Sequence, residues 1–170
     1  MKKRLLILLF LPLGMFAQDM SNETLQEIYT TVSDSINGKL GGWRFFINQV
    51  PLMSLTDTSH NRMRIMSPIM ASKDVSDDLV KAALVANFHT ALDVKYAVSD
   101  GILWSVFIHP LKELTAHQVK DAVSQVYHAN KNFGTTFAST SLSFPGKLSR
   151  QETDTKEIPT NKETPTFKKL

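Results

Sequence analysis

His117 and Asp121 stand four residues apart in a segment of helical periodicity, so an imidazole and a carboxylate share one helix face at a spacing able to hold a metal ion in two positions. His128 shares that face but lies eleven residues further on, about 16 Å along the axis and out of reach of the same ion. Two ligands make a poor site, and a solvated helix face is the better reading. Asp77 and Asp78 are adjacent carboxylates, yet at a helix start they serve the helix dipole more readily than acid–base chemistry. His60 and His89 fall in turns or helix ends, and His109 ends a strand before Pro110; ordinary surface roles are expected for all three. No serine-centred nucleophile motif, phosphate-cradling glycine loop or His-Glu-x-x-His occurs. No catalytic residue, cofactor or metal is assigned, and the expectation is a protein that is not an enzyme.

The large apolar residues carry more information. Trp43, Phe46, Met53, Met63, Met66, Met70, Trp104 and Phe107 include residues on both faces of strand-like segments. A sheet covered by helices on one side cannot bury both. If Trp43 and Trp104 face the helices, Phe46 and Phe107 are the residues exposed in a monomer and form a candidate protein-binding or dimer face; the reverse assignment exchanges the two sets. Methionine adapts to varied partners, which suits such a surface.

The elements that must position these residues follow from the apolar period. Leu25, Ile28, Tyr29, Val32 and Ile36 fall at helical spacing, with Ser21 or Asn22 as cap and Gly38 where a left-handed C-terminal cap is wanted. Gly41 and Gly42 break the chain. Trp43 to Asn48 alternates, a short run follows at Leu52 to Leu55, Asp57 to Asn61 supply turn chemistry, and Arg62 to Met66 alternates again before Pro68. A second helix starts at Ser76 and carries Leu79, Val80, Ala83, Leu84 and Phe88 on one stripe. Val94, Tyr96 and Val98 then turn at Ser99-Asp100-Gly101 into the apolar strand Ile102 to Ile108, a hairpin. Thr115 and Gln118 have the form of a capping box before the helical stripe Val119, Ala122, Val123, Val126, Tyr127 and Phe133, which ends near Gly134. The order α-β-β-β-α-β-β-α predicts an α+β fold, a five-stranded antiparallel sheet with helices packed on one face.

The ends read differently. Lys2, Lys3 and Arg4 precede the apolar run Leu5 to Leu13 and then Gly14-Met15-Phe16-Ala17. Residues 1–17 are therefore expected to be a secretory signal peptide, cut before Gln18, too short to span a bilayer and with no later stop-transfer segment. The chain is expected to be exported, to the periplasm or exterior of a Gram-negative bacterium, without stable membrane insertion after cleavage. The whole chain has 19 basic and 16 acidic residues, but three of the basic ones lie in the signal, so the mature chain is neutral and shows no basic balance that would argue for nucleic acid. Cysteine is absent, which excludes disulfides and cysteine metal sites and leaves stability to a packed core. Residues 18–144 suffice for one such domain. Residues 145–170, with three prolines and scattered apolar side chains, read as a disordered tail.

Between Leu79 and Phe137, a helix ending Val85-Ala86-Asn87-Phe88, the hairpin Asp93 to Ile108, the link Pro110 to Thr115 and a long amphipathic helix resemble the YbjN-like family, which is similar in fold to type III secretion chaperones. The resemblance implies a compact α+β domain that binds or regulates other polypeptides, often as a dimer, with no catalytic residues to carry over. Export and neutrality depart from the cytosolic, acidic setting usual in that family.

Two functions follow as expectations. The first is an exported, non-enzymatic protein-binding module, chaperone-like or regulatory, using a sheet face or dimer surface, its partner another polypeptide or a second copy. The alternative is a carrier of a small apolar ligand in a pocket between sheet and helices, which the scarcity of glycines to open a cavity disfavours. A hydrolase that depends on His117 or Asp121 ranks behind both.

Overall fold

The computed structural model describes residues 19–142. The expected signal peptide lies outside them, as does the expected tail. Three helices and six strands run in the order α1 (Asn22–Val32), β1 (Ser35–Lys39), β2 (Gly42–Ile47), β3 (Val50–Asp57), β4 (Arg62–Ala71), α2 (Asp77–His89), β5 (Lys95–Ser99), β6 (Ile102–His109) and α3 (Ala116–Lys131). The sheet order is β1-β2-β3-β4-β6-β5, antiparallel throughout. The chain leaves β4, crosses by α2 to the far edge as β5, and returns as β6 beside β4. The α+β class is as expected from the sequence, with one strand more.

The extra strand comes from the first helix. It was expected to continue through Ile36 to a cap at Gly38, but it stops at Val32, where the Ser33 hydroxyl and amide both bond the Tyr29 carbonyl. Asp34 then ties the chain to the sheet: its amide bonds Phe46 O at 2.8 Å and its carboxylate accepts from Asn48 N at 2.6 Å. Ile36 pairs with Phe45 in β1. Gly38 has φ +128°, and a Cβ there would lie 2.3 Å from Gly42 O. Its glycine serves the β1–β2 hairpin, not a helix cap.

The core lies between one sheet face, α1 and α3. Leu25, Ile28 and Tyr29 of α1 are buried, with the Tyr29 ring stacked on Phe45 at 4.7 Å and edge-on to Trp43 at 5.4 Å. The capping box starts α3 as expected, Thr115 Oγ1 accepting from Gln118 N and Gln118 Oε1 from Thr115 N. Beneath α3 the sheet presents the buried serines 67 and 105, whose small side chains let the helix come close. Ser105 Oγ donates to Val126 O, Tyr96 Oη donates to Ala129 O, and Asn130 Nδ2 donates to both Ser67 Oγ and Pro68 O. These bonds fix the depth and rotation of α3.

Candidate functional site

Pairing register decides which side chains face the helices. Trp43 is opposite Ser54, Ser54 opposite Ile65, and Ile65 opposite Phe107. Side chains directly opposite one another share a face, so Trp43 and Phe107 are together on the helix side, and both are buried, Phe107 at 6% exposure. The expectation that Phe107 would be exposed is therefore corrected. Trp104, three residues before Phe107, must point the other way; it is half-buried on the open side, against Pro68 and Ala97. Phe46 sits on the open face, half-buried, opposite Ser35 and Pro51.

The open face is broadly apolar. One cross-strand row runs Asn37, Arg44, Met53, Met66, Val106, Lys95, and a second runs Leu55, Arg64, Ile108. Met53, Met66 and Val106 are half-buried, while Leu55 and Ile108 are half exposed at 49% and 57%. From β2 to β6 this surface spans three strand spacings, about 14 Å. Among the described residues no helix covers it: α1 and α3 pack on the other side, and α2 lies against β5 at the sheet edge. The Arg44 guanidinium lies 5.6 Å from the centre of the Phe46 ring, and Trp104 Nε1 is bonded to Ser99 O at 3.2 Å.

A second apolar surface was not foreseen. Of the apolar residues of α2 only Ala83 and Ala86 are buried, beside β5 at the sheet edge. Val80, Leu84, Val85 and Phe88 are exposed, Phe88 at 79%. The signal was present in the sequence: leucine, valine, alanine and phenylalanine occupy more of the helix circumference than one buried stripe needs.

The polar candidates are dispersed. Asp121 accepts from Gln125 Nε2 at 2.8 Å, and the same amide donates to Asp93 Oδ2 at 3.1 Å. These residues line a cleft of about 440 Å³ between β6 and α3, with Lys95, Phe107, His109 and Leu114. His117 does not line it. His109 Nδ1 lies 2.8 Å from Pro110 O, and its ring is parallel to Phe107. Asp77 and Asp78 occupy the first turn of α2, where Ser76 Oγ accepts from Leu79 N and Asp78 is 4.0 Å from Lys81. His60 holds Asp57 at 2.7 Å, and this hydrogen bond is the main reason that carboxyl is below its ordinary range. Among the described residues no group of three or more His, Cys, Asp or Glu is placed to hold a metal ion.

No family model matches the chain, and no curated protein matches its sequence. Solved structures do match the fold. A chain of the HopA1–SchA chaperone–effector complex is similar at 12% identity and a TM-score of 0.51, over 66% of this chain and 94% of that one. A chain of the ExsC–ExsE complex is similar at 12% identity and a TM-score of 0.53, over 71% and 95%. The likeness is one of fold: an antiparallel sheet with helices packed on it.

Proposed function

We propose that this chain is an exported, non-enzymatic protein-binding module, YbjN-like in family, with its domain in residues 18–144 and its place of action in the periplasm or outside a Gram-negative cell. The observation that carries the binding role is the open sheet face around Phe46, Met53, Met66 and Trp104, apolar and, among the described residues, without a helix over it. The fold's likeness to a chaperone held in a chaperone–effector complex supports a polypeptide partner. Flexible methionines at the centre of the face suit a partner whose sequence is not rigidly specified. Phe88, exposed on α2, serves as the control position.

The test is selection of binding peptides from a random library on the purified protein and on its Trp104→Asp and Phe88→Asp variants. Peptides enriched by the wild type and by Phe88→Asp, and lost with Trp104→Asp, would support the reading. Enrichment unchanged by Trp104→Asp would remove the sheet face as the binding site. The carrier of a small apolar ligand has less support: the cleft between sheet and helix includes Asp93, Lys95, Gln118, Asp121 and Gln125 in its lining, polar groups that an apolar molecule would leave unpaired.

A further inference from the structure

The charge of the open face differs from that of the rest of the domain. Residues 18–144 carry ten Lys and Arg against twelve Asp and Glu. By register, Lys39, Arg44, Arg62 and Arg64 project on the open side of the sheet, against the single carboxylate of Asp57 among the described residues. Four of the domain's ten cations are thus gathered on the one sheet face that is also apolar. Asp57 is engaged by His60. Lys95 turns its ammonium to the carbonyls of Asn87 and Leu92. Arg44 and Arg64 remain exposed, and among the described residues neither is ion-paired.

We propose that the open face takes an acidic amphipathic segment of the partner polypeptide, its apolar side chains over Met53, Met66 and Trp104 and its carboxylates on Arg44 and Arg64. This rests on the reading of the sheet face as the polypeptide-binding surface and specifies the chemistry of what it binds. Guanidinium groups beside an apolar surface recognise carboxylates by paired, charge-assisted hydrogen bonds, which a lysine-bearing segment cannot make. The spacing is specific as well. Arg44 and Arg64 are two strands and one side-chain row apart, about 12 Å between Cα atoms. Two carboxylates seven residues apart on a helix rise about 10.5 Å on one face, and two at four residues on a strand are about 13 Å apart. Either segment reaches both arginines while it lays an apolar face on the methionines.

The probes are three labelled synthetic 15-residue peptides with the same leucine and phenylalanine positions and Glu, Gln or Lys at two positions seven apart. Anisotropy with the full chain reads binding at low salt and in 0.5 M NaCl. The Glu peptide is expected to bind at least tenfold more tightly than the Lys peptide, with the preference shrinking in high salt. In the double variant Arg44→Glu/Arg64→Glu the order should reverse, and Arg44→Gln/Arg64→Gln should abolish the preference without reversing it. Equal binding of all three peptides, lost on Trp104→Asp, would overturn the acidic preference and leave the apolar face standing. No binding by any peptide would overturn both. Binding to vesicles of phosphatidylglycerol, in place of the Glu peptide, would assign the arginines to a membrane surface and overturn the polypeptide partner.

Discussion

The hydroxyl of Tyr29 on α1 lies 2.8 Å from Ser54 Oγ at the centre of the sheet, and both residues are fully buried. Burial pushes the Tyr29 hydroxyl well above its ordinary range, only partly offset by Ser54, so the phenol stays neutral at all ordinary pH. With the bonds of Trp43 Nε1 to Gln26 Oε1 and of Thr56 Oγ1 to Asn22 Oδ1, the Tyr29–Ser54 bond seats α1 on the sheet. Tyr29→Phe leaves the serine hydroxyl buried without a partner and should cost about 1–3 kcal/mol. Adding Ser54→Ala removes the stranded group, so the double variant should be more stable than the sum of the single losses predicts. Urea unfolding of the four proteins measures that coupling.

Opposite outcomes are expected for two aromatic residues three positions apart on β6. Phe107→Asp places an unpaired carboxylate under α3 and should destabilise the fold by about 4 kcal/mol or more. Trp104→Asp places it on the open face and should change stability by about 1 kcal/mol or less. Thermal unfolding followed by circular dichroism separates them, and equal losses would contradict the face assignment.

These two residues also show how far the sequence could be read. Alternation along β2 and β6 was legible, and so was the existence of two aromatic faces. Which face was buried depended on the register Trp43–Ser54–Ile65–Phe107, a relation among four strands that no single segment encodes. The capping box of α3 and the Asp100-Gly101 turn were legible because their signals are local. The end of α1 was not, since Ile36 fits a helical stripe as well as a strand, and the tie from Asp34 to Asn48 that decides it is tertiary. In α2 the helix was legible, but the exposure of Leu84, Val85 and Phe88 beside the buried Ala83 and Ala86 was not.

Gly38 supplies a backbone test of the unforeseen strand. Alanine there meets both a positive φ and Gly42 O, and should cost more than about 1 kcal/mol. Gly134 has φ +78° with nothing within 4 Å of an added Cβ. Alanine at Gly134 should cost about 1 kcal/mol, the smaller loss of the two. Parallel denaturant titrations decide it; a neutral Gly38→Ala would remove the close approach in the β1–β2 hairpin.

Two exposed carboxylates link stability to acid. Asp57 is below its ordinary range chiefly because it accepts from His60, and Glu113 chiefly because Asn61 donates to both its oxygens at 2.9 and 3.0 Å. A carboxyl lowered in the folded state stabilises above its unfolded value and loses that contribution as pH falls through the folded one. Stability should therefore decline as pH falls below the ordinary carboxylate range. Asp57→Asn and Glu113→Gln should each flatten that decline while leaving the neutral side of the profile level. A decline of unchanged steepness in both variants would contradict the assignment.

The central claim is that polypeptide is bound on the open sheet face, and the methionines report on it directly. Met53 and Met66 lie on that face, opposite each other, whereas Met20 and Met63 are buried in the core. Carbon-13 methyl-methionine spectra of the protein titrated with a library-selected peptide are the decisive measurement. The account predicts that the Met53 and Met66 methyl signals shift with peptide concentration while Met20 and Met63 stay in place. Saturable peptide binding that leaves Met53 and Met66 unmoved would contradict it.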